Sequence, residues 1–190
     1  MKANQTIRTL LAAAALAALT NLPASAALAP GTTAPPFATQ ASLGGNVFDF
    51  SLADALKKGP VVLYFYPAAF TKGCTIEAHD FAEHMDDYRK LGATVIGVSG
   101  DGIEKLKAFS VSECRSKFPV ASDGDHKIST AYDATIGIDG VTYSNRTSYV
   151  IAKDGKIVYT YTALDPGGHV ANTLGALRKL EGLPAPTPSP

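Results

Sequence analysis

The sequence predicts an α/β domain built on a central mixed β-sheet flanked by helices. Three observations predict it. Two unbroken apolar runs, VVLYFY at residues 61–66 and ATVIGV at 93–98, are joined by a stretch of helical periodicity; two β-rich stretches farther on flank an Asp-Gly pair; and a segment with helical character follows them. A helical crossover between apolar runs makes parallel strands, whereas a tight turn makes antiparallel ones. A chain containing both is expected to mix them in one sheet.

Residues 1–26 stand apart from this fold. Lys2 and Arg8 form a positive start, the apolar run at 10–22 is too short to span a bilayer, and Ala24-Ser25-Ala26 offers a small-residue cleavage site. That is the pattern of a cleaved signal peptide, and it predicts an exported protein, in the periplasm. No later stretch is long and apolar enough for a membrane-spanning helix. Residues 27–182 suffice for one domain with a real core, and the Pro-rich LPAPTPSP at 183–190 is expected to be a disordered tail.

Within the domain, APGTTAPP (29–36) leads in as an extended segment. Residues 61–66, bounded by Gly59-Pro60 and Pro67, read as a strand buried on both faces. From Cys74 to Leu91, Ala78, Phe81, Met85 and Tyr88 share one side and Glu83, Asp86, Asp87 and Lys90 the other, which predicts one amphipathic helix ended by Gly92. Residues 93–98 are the second buried strand. Helices are expected at 103–114 and 126–134, a hairpin at 148–152 and 157–162, and a last helix at 168–180. This order of elements matches the thioredoxin fold, a match that assigns no function by itself.

Composition narrows the function. Without residues 1–26 the net charge is −2, which gives no electrostatic reason to expect nucleic acid or an anionic membrane as partner. His79, His84, His126 and His169 have no metal-ligand spacing, GVSGD (97–101) lacks the second glycine of a serine nucleophile elbow, and Gly100-x-Gly102 is too short for a dinucleotide fingerprint. No metal, flavin, haem or nucleotide cofactor is expected.

The chain has two cysteines, Cys74 and Cys114. In an oxidising compartment their default is a structural disulfide, which would close a loop of about 40 residues and stabilise the fold by roughly 4 kcal/mol. On that reading the protein is an exported thioredoxin-like binding or scaffold module. The placement of Cys74 argues otherwise. A thiol in the first turn of a helix faces unpaired N–H groups and the positive end of the helix dipole, and both favour thiolate. Thr71 stands where a disulfide oxidoreductase of this fold would carry the first cysteine of C-x-x-C, so dithiol exchange at this site is removed.

Pro67-x-x-x-Thr71-x-x-Cys74 resembles the P-x-x-x-[TS]-x-x-C signature of peroxiredoxins, and the Phe-Tyr-Pro ahead of it and Glu77 after it resemble the same context. Gly31-x-x-Ala34-Pro35-x-Phe37, GVSGD, FPVASD (118–123, a loop by the resemblance) and Arg146 in NRTSYVIAKDGKI are similar to further family segments. The chain looks most like the bacterioferritin-comigratory, or Q-type, branch. The resemblance implies a thiol peroxidase in which Cys74 attacks hydrogen peroxide or an organic hydroperoxide and becomes a sulfenic acid. An ordinary thiol is already a few per cent ionised at pH 7, so full ionisation gains only about 30-fold, or roughly 2 kcal/mol. The remainder must come from stabilising the leaving oxygen, a role that suits the Thr71 hydroxyl, Arg146 and the N–H groups of Gly73 and Cys74. By the same resemblance Glu77 holds Arg146 in place and Pro67 shields the sulfur.

Many Q-type members carry a resolving cysteine five residues after the peroxidatic one; here that position is His79, expected on a solvated face with Glu83 and Asp87. Cys114 is the candidate resolving thiol, with a buried inert cysteine as its alternative. The implied partner is a thioredoxin-like or low-molecular-weight thiol reductant. Q-type relatives are often monomeric, and no long C-terminal arm with a further cysteine follows, so a monomer is expected.

Overall fold

A computed structural model describes residues 27–184. The expected signal peptide lies outside the described residues, as do residues 185–190 of the Pro-rich tail. None of the described helices is long and apolar enough to cross a membrane.

After the extended lead-in, β1 (Ala38–Leu43) and β2 (Asn46–Ser51) form an antiparallel hairpin. Gly44 and Gly45 close it with φ of 56° and 82°, the left-handed backbone that a two-residue hairpin turn requires at both positions. Helix α1 (Leu52–Lys58) starts where the Ser51 hydroxyl accepts the N–H of Asp54. The expected βαβ unit is present: β3 (Val61–Phe65) runs parallel to β4 (Thr94–Ser99), with α2 (Lys72–Glu83) and α3 (Met85–Lys90) between them.

The helix expected over 74–91 is therefore two helices, and it begins at Lys72. At His84 the backbone turns to φ −95° and ψ 7°, and the Asp87 N–H reaches back only three residues to the His84 carbonyl. That tightened step re-phases the chain, and Phe81, Met85 and Tyr88 still all bury into one core. Helix α4 (Ile103–Ser112) stops short of the predicted 103–114, so Cys114 lies just beyond it. The loop expected at 118–123 contains strand β5 (Val120–Ser122), which pairs parallel to β4 and antiparallel to β1. The helix predicted at 126–134 is shorter, α5 (Lys127–Ala131), and a second hairpin, β6 (Thr135–Ile138) with β7 (Val141–Ser144), turns at left-handed Asp139 and Gly140. The hairpin of β8 (Thr147–Ile151) and β9 (Ile157–Thr162) and helix α6 (His169–Leu180) complete the described elements.

The seven-stranded sheet has the order β2-β1-β5-β4-β3-β8-β9 and mixes parallel and antiparallel pairs. Strand β3 runs through its interior, and alternation along it divides the core. Val62 and Tyr64 face a cluster with α2, α3, α4 and α6, whereas Val61, Leu63 and Phe65 face one that includes Phe50, Leu52, Tyr132 and Tyr149. Every residue of β3 is buried, which is why its sequence is an unbroken apolar run.

Candidate active site

Where β3 ends, the chain makes a short loop before α2. Pro67 is half-buried in it, and Phe70 is held at φ 66°, which strains a bulky side chain. Three contacts fix this loop. The Ala69 N–H donates to Asp101 Oδ2 at 2.6 Å, the Thr71 hydroxyl donates to the Ala68 carbonyl at 2.9 Å, and the Phe70 ring meets Phe109 edge-on at 5.2 Å. Asp101, at the end of β4, is itself held by Ser99 Oγ at 2.9 Å and Lys105 Nζ at 2.7 Å.

Thr71 is the exposed N-cap residue of α2 but makes no side-chain capping bond. Its hydroxyl proton points at the loop, so toward the site it offers an oxygen that accepts rather than the donor expected from sequence. The first amides of the helix, those of Gly73 and Cys74 among them, are left unclaimed by the cap.

Cys74, the third residue of α2, is a buried free thiol. Arg146, just ahead of β8, reaches it with Nη2 at 3.3 Å from Sγ. The same guanidinium donates Nη1 to Glu77 Oε2 and Nε to the Leu164 carbonyl at 3.0 Å. Cys74 and Glu77 are one helical turn apart on α2, so a single planar cation spans both. Gly73 makes the approach possible: a Cβ there would stand 3.0 Å from Arg146 Nη2.

Arg146 is 4% and Glu77 1% exposed, so water screens their pairing little. Burial pushes the Glu77 carboxyl up to about 8 from its ordinary 4.5, outweighing the downward pull of Arg146, while Asp80 adds to the rise. Burial works against the charge of Arg146 too, but Glu77 and Cys74 outweigh it and raise the guanidinium further.

The second oxygen of Glu77, Oε1, has no hydrogen-bond partner among the described residues and lies 3.6 Å from His169 Nδ1. His169 is fully buried at the start of α6, with Nδ1 2.8 Å from Ser148 Oγ and Nε2 3.0 Å from the Ala163 carbonyl. The sequence reading found neither this histidine's contacts nor Asp101's; Ser99-x-Asp101 at the end of a buried strand was the available signal for the latter.

Cys114 shares the apolar cluster of Cys74 and is completely buried. Burial, reinforced by the neighbouring Glu113, pushes its thiol well up. The two residues after it, Arg115 and Ser116, both have left-handed backbone, with φ of 49° and 55°. His79 is not simply solvated as expected: its Nε2 lies 2.9 Å from Glu113 Oε2, and Glu83 pairs with Arg115 at 3.1 Å. These two contacts tie the segment around Cys114 to α2.

Residues 30–160 match the AhpC/TSA family. The chain is 39% identical over 148 residues, 76% of its length and 91% of the relative's, to a Mycobacterium tuberculosis protein provisionally named a peroxiredoxin. It is 36% identical over 152 residues to the chloroplastic peroxiredoxin Q of Sedum lineare, covering 80% of this chain and 78% of that one. Among solved structures, the peroxidoxin BcpB of Mycobacterium tuberculosis superposes with a TM-score of 0.72 at 29% identity, over 80% of this chain and 97% of that one. The fold is thus thioredoxin-like.

Proposed function

This chain belongs to the AhpC/TSA family, in its peroxiredoxin Q branch, and we propose that it is an exported thiol peroxidase whose peroxidatic residue is Cys74. The observation that carries the assignment of the residue is the 3.3 Å contact between Arg146 Nη2 and Cys74 Sγ, with Glu77 gripping the other arm of the guanidinium. Hydrogen peroxide and organic hydroperoxides are the substrates.

The Cys74 thiolate attacks one peroxide oxygen in line with the O–O bond. An S–O bond forms as the O–O bond breaks, two electrons pass from sulfur to oxygen, and the leaving oxygen takes a proton to become water or an alcohol. Arg146 and the amides of Gly73 and Cys74 are placed to meet the charge that develops on the leaving oxygen. Thr71 Oγ1, its own proton committed to Ala68, accepts a hydrogen bond from the peroxide and so orients it. Pro67 walls the site, and Glu77 holds the guanidinium.

Recycling follows by condensation of the Cys74 sulfenic acid with Cys114, releasing water, and reduction of that disulfide by a thioredoxin-like protein or a small thiol. Cys114 is buried and its thiol pushed well up, so the segment after α4 has to open for an external reductant to reach the disulfide. Export rests on the pattern of residues 1–26, with the domain at 27–182, the tail at 183–190, and a periplasmic monomer as the working form.

The test is the intact mass of reduced protein seconds after one equivalent of hydrogen peroxide, with a sulfenic-acid trap present. A loss of about two mass units that Cys74→Ser abolishes, replaced by a trapped adduct in Cys114→Ser, supports the full cycle. A trapped adduct in the unsubstituted protein makes it a one-cysteine peroxidase. No change removes the peroxidatic role of Cys74 and leaves the scaffold reading.

A further inference from the structure

Cys114 sits in neither a helix nor a strand, in the segment that leads from α4 to β5. Its side chain is fully buried in the cluster that also holds Cys74, yet Glu113 before it is partly exposed and Arg115, Ser116 and Lys117 after it are exposed. Alternate residues of this segment reach across to neighbouring helices. Glu113 Oε2 lies 2.9 Å from His79 Nε2, Arg115 Nη1 donates to Glu83 Oε1 at 3.1 Å, and the Lys117 carbonyl accepts Arg89 Nη2 at 3.2 Å. His79 and Glu83 belong to α2, the helix that carries Cys74, and Arg89 to α3.

These contacts work against strain. Arg115 and Ser116 are consecutive non-glycine residues in left-handed backbone, with φ of 49° and 55°, where a Cβ meets steric cost. The side chains of Arg115 and Glu83 are 44% and 58% exposed, so water keeps their attraction weak; those of His79 and Glu113, at 37% and 18%, are better shielded. A strained segment under weak clamps opens more readily than the packed elements around it.

We propose that His79, Glu83 and Arg89 form a latch on residues 113–117, and that its release presents Cys114 for the resolving step. Helix α2 then governs both thiols: its first turn carries the one that meets peroxide, and its later turns hold the other shut. The inference rests on Cys114 as the resolving thiol. In the gated step the Cys114 sulfur attacks the Cys74 sulfenic sulfur; an S–S bond forms, the S–O bond breaks, and the hydroxyl leaves with the Cys114 proton as water.

Opening is measured first without peroxide. In Cys74→Ser the sole thiol of the chain is Cys114, so its rate of reaction with DTNB reads the opened fraction. Adding His79→Ala or Glu83→Gln should raise that rate by about two- to fivefold, and His79→Gln, which still offers Glu113 an N–H, should raise it less. Ser116→Gly removes the penalty of the left-handed backbone and should lower the rate by about threefold or more. Opening through the latch uncovers little surface and should depend only weakly on urea. A merely packed thiol would be reached through global unfolding, with a steep urea dependence. That dependence, an unchanged rate in both His79→Ala and Glu83→Gln, or a Ser116→Gly rate at or above its parent's overturns the proposal.

With Cys74 restored, hydrogen peroxide is added and the Cys74–Cys114 disulfide is timed by the loss of about two mass units. The variants should fall in the same order, while consumption of the Cys74 thiol keeps its rate. Disulfide formation that ignores the labelling order overturns the gating role. Absence of the disulfide in every variant, with labelling in the expected order, instead removes the resolving role of Cys114 and leaves the latch.

Discussion

At Glu77 burial and a neighbouring cation pull one carboxyl in opposite directions, and burial wins. The consequence for stability has a definite sign. The folded value of about 8 exceeds the ordinary 4.5, so the folded state retains a proton that the unfolded chain releases. This contribution is fully present below about pH 4.5 and is lost as pH rises through about 8, a change on the order of a few kcal/mol. Urea midpoints measured across that window should decline in the unsubstituted protein and flatten in Glu77→Gln. Gly73 offers a second residue-scale prediction. Alanine suits a helix better than glycine by about 1 kcal/mol, yet its Cβ would press on Arg146 Nη2 at 3.0 Å. Gly73→Ala should therefore melt no lower than the unsubstituted protein while its Cys74 oxidation slows by about 10-fold, since a small displacement of a catalytic group is costly. Cys74, Glu77 and Arg146 were readable in the sequence because two of them share a helix start and the third sits in a recognisable segment. The contacts of His169 were not, because they come from the docking of α6 against α2 and β8.

Among the elements, the loop from β3 to α2 holds the strained Phe70, a cost of about 1–3 kcal/mol that neighbouring contacts must offset. Asp101 supplies the strongest of them. Asp101→Ala should lower stability by about 1–3 kcal/mol, by leaving the Ala69 N–H unpaired, and slow Cys74 oxidation by about 10-fold or more; thermal melting and single-turnover kinetics read both. Lys105→Ala, which removes only the exposed partner of Asp101, should change stability by less than about 1 kcal/mol. The sequence reading missed the β1–β2 and β6–β7 hairpins although Gly44-Gly45 and Asp139-Gly140 mark their turns. Their strands are partly exposed and mixed in polarity, so the turns carried the signal and the strands did not. The break at His84 left no mark at all, because the apolar spacing from Ala78 to Tyr88 continues across it.

Over the whole molecule, the mixed sheet was readable because β3 and β4 are buried on both faces and read as continuous apolar runs. Its width was not, since the local β1–β2 hairpin joins it only through the pairing of β1 with β5, which is distant in sequence. Leu63, fully buried in the middle of β3, anchors the core cluster on the other face of the sheet from Cys74. Leu63→Ala should lower stability by about 2–5 kcal/mol in chemical denaturation while leaving the rate of Cys74 oxidation in the folded fraction nearly unchanged.

Arg146 ties together parts of the chain that are made at different times. It lies 72 residues from Cys74, 69 from Glu77 and 18 from Leu164, and the helix that backs Glu77 is the last element among the described residues. A nascent or partly folded chain therefore carries Cys74 without its Arg146 contact. On the proposed reading of Cys74, fast reaction with peroxide is expected only once these long-range contacts form, and the onset of that reactivity would serve as a clock for the completion of folding.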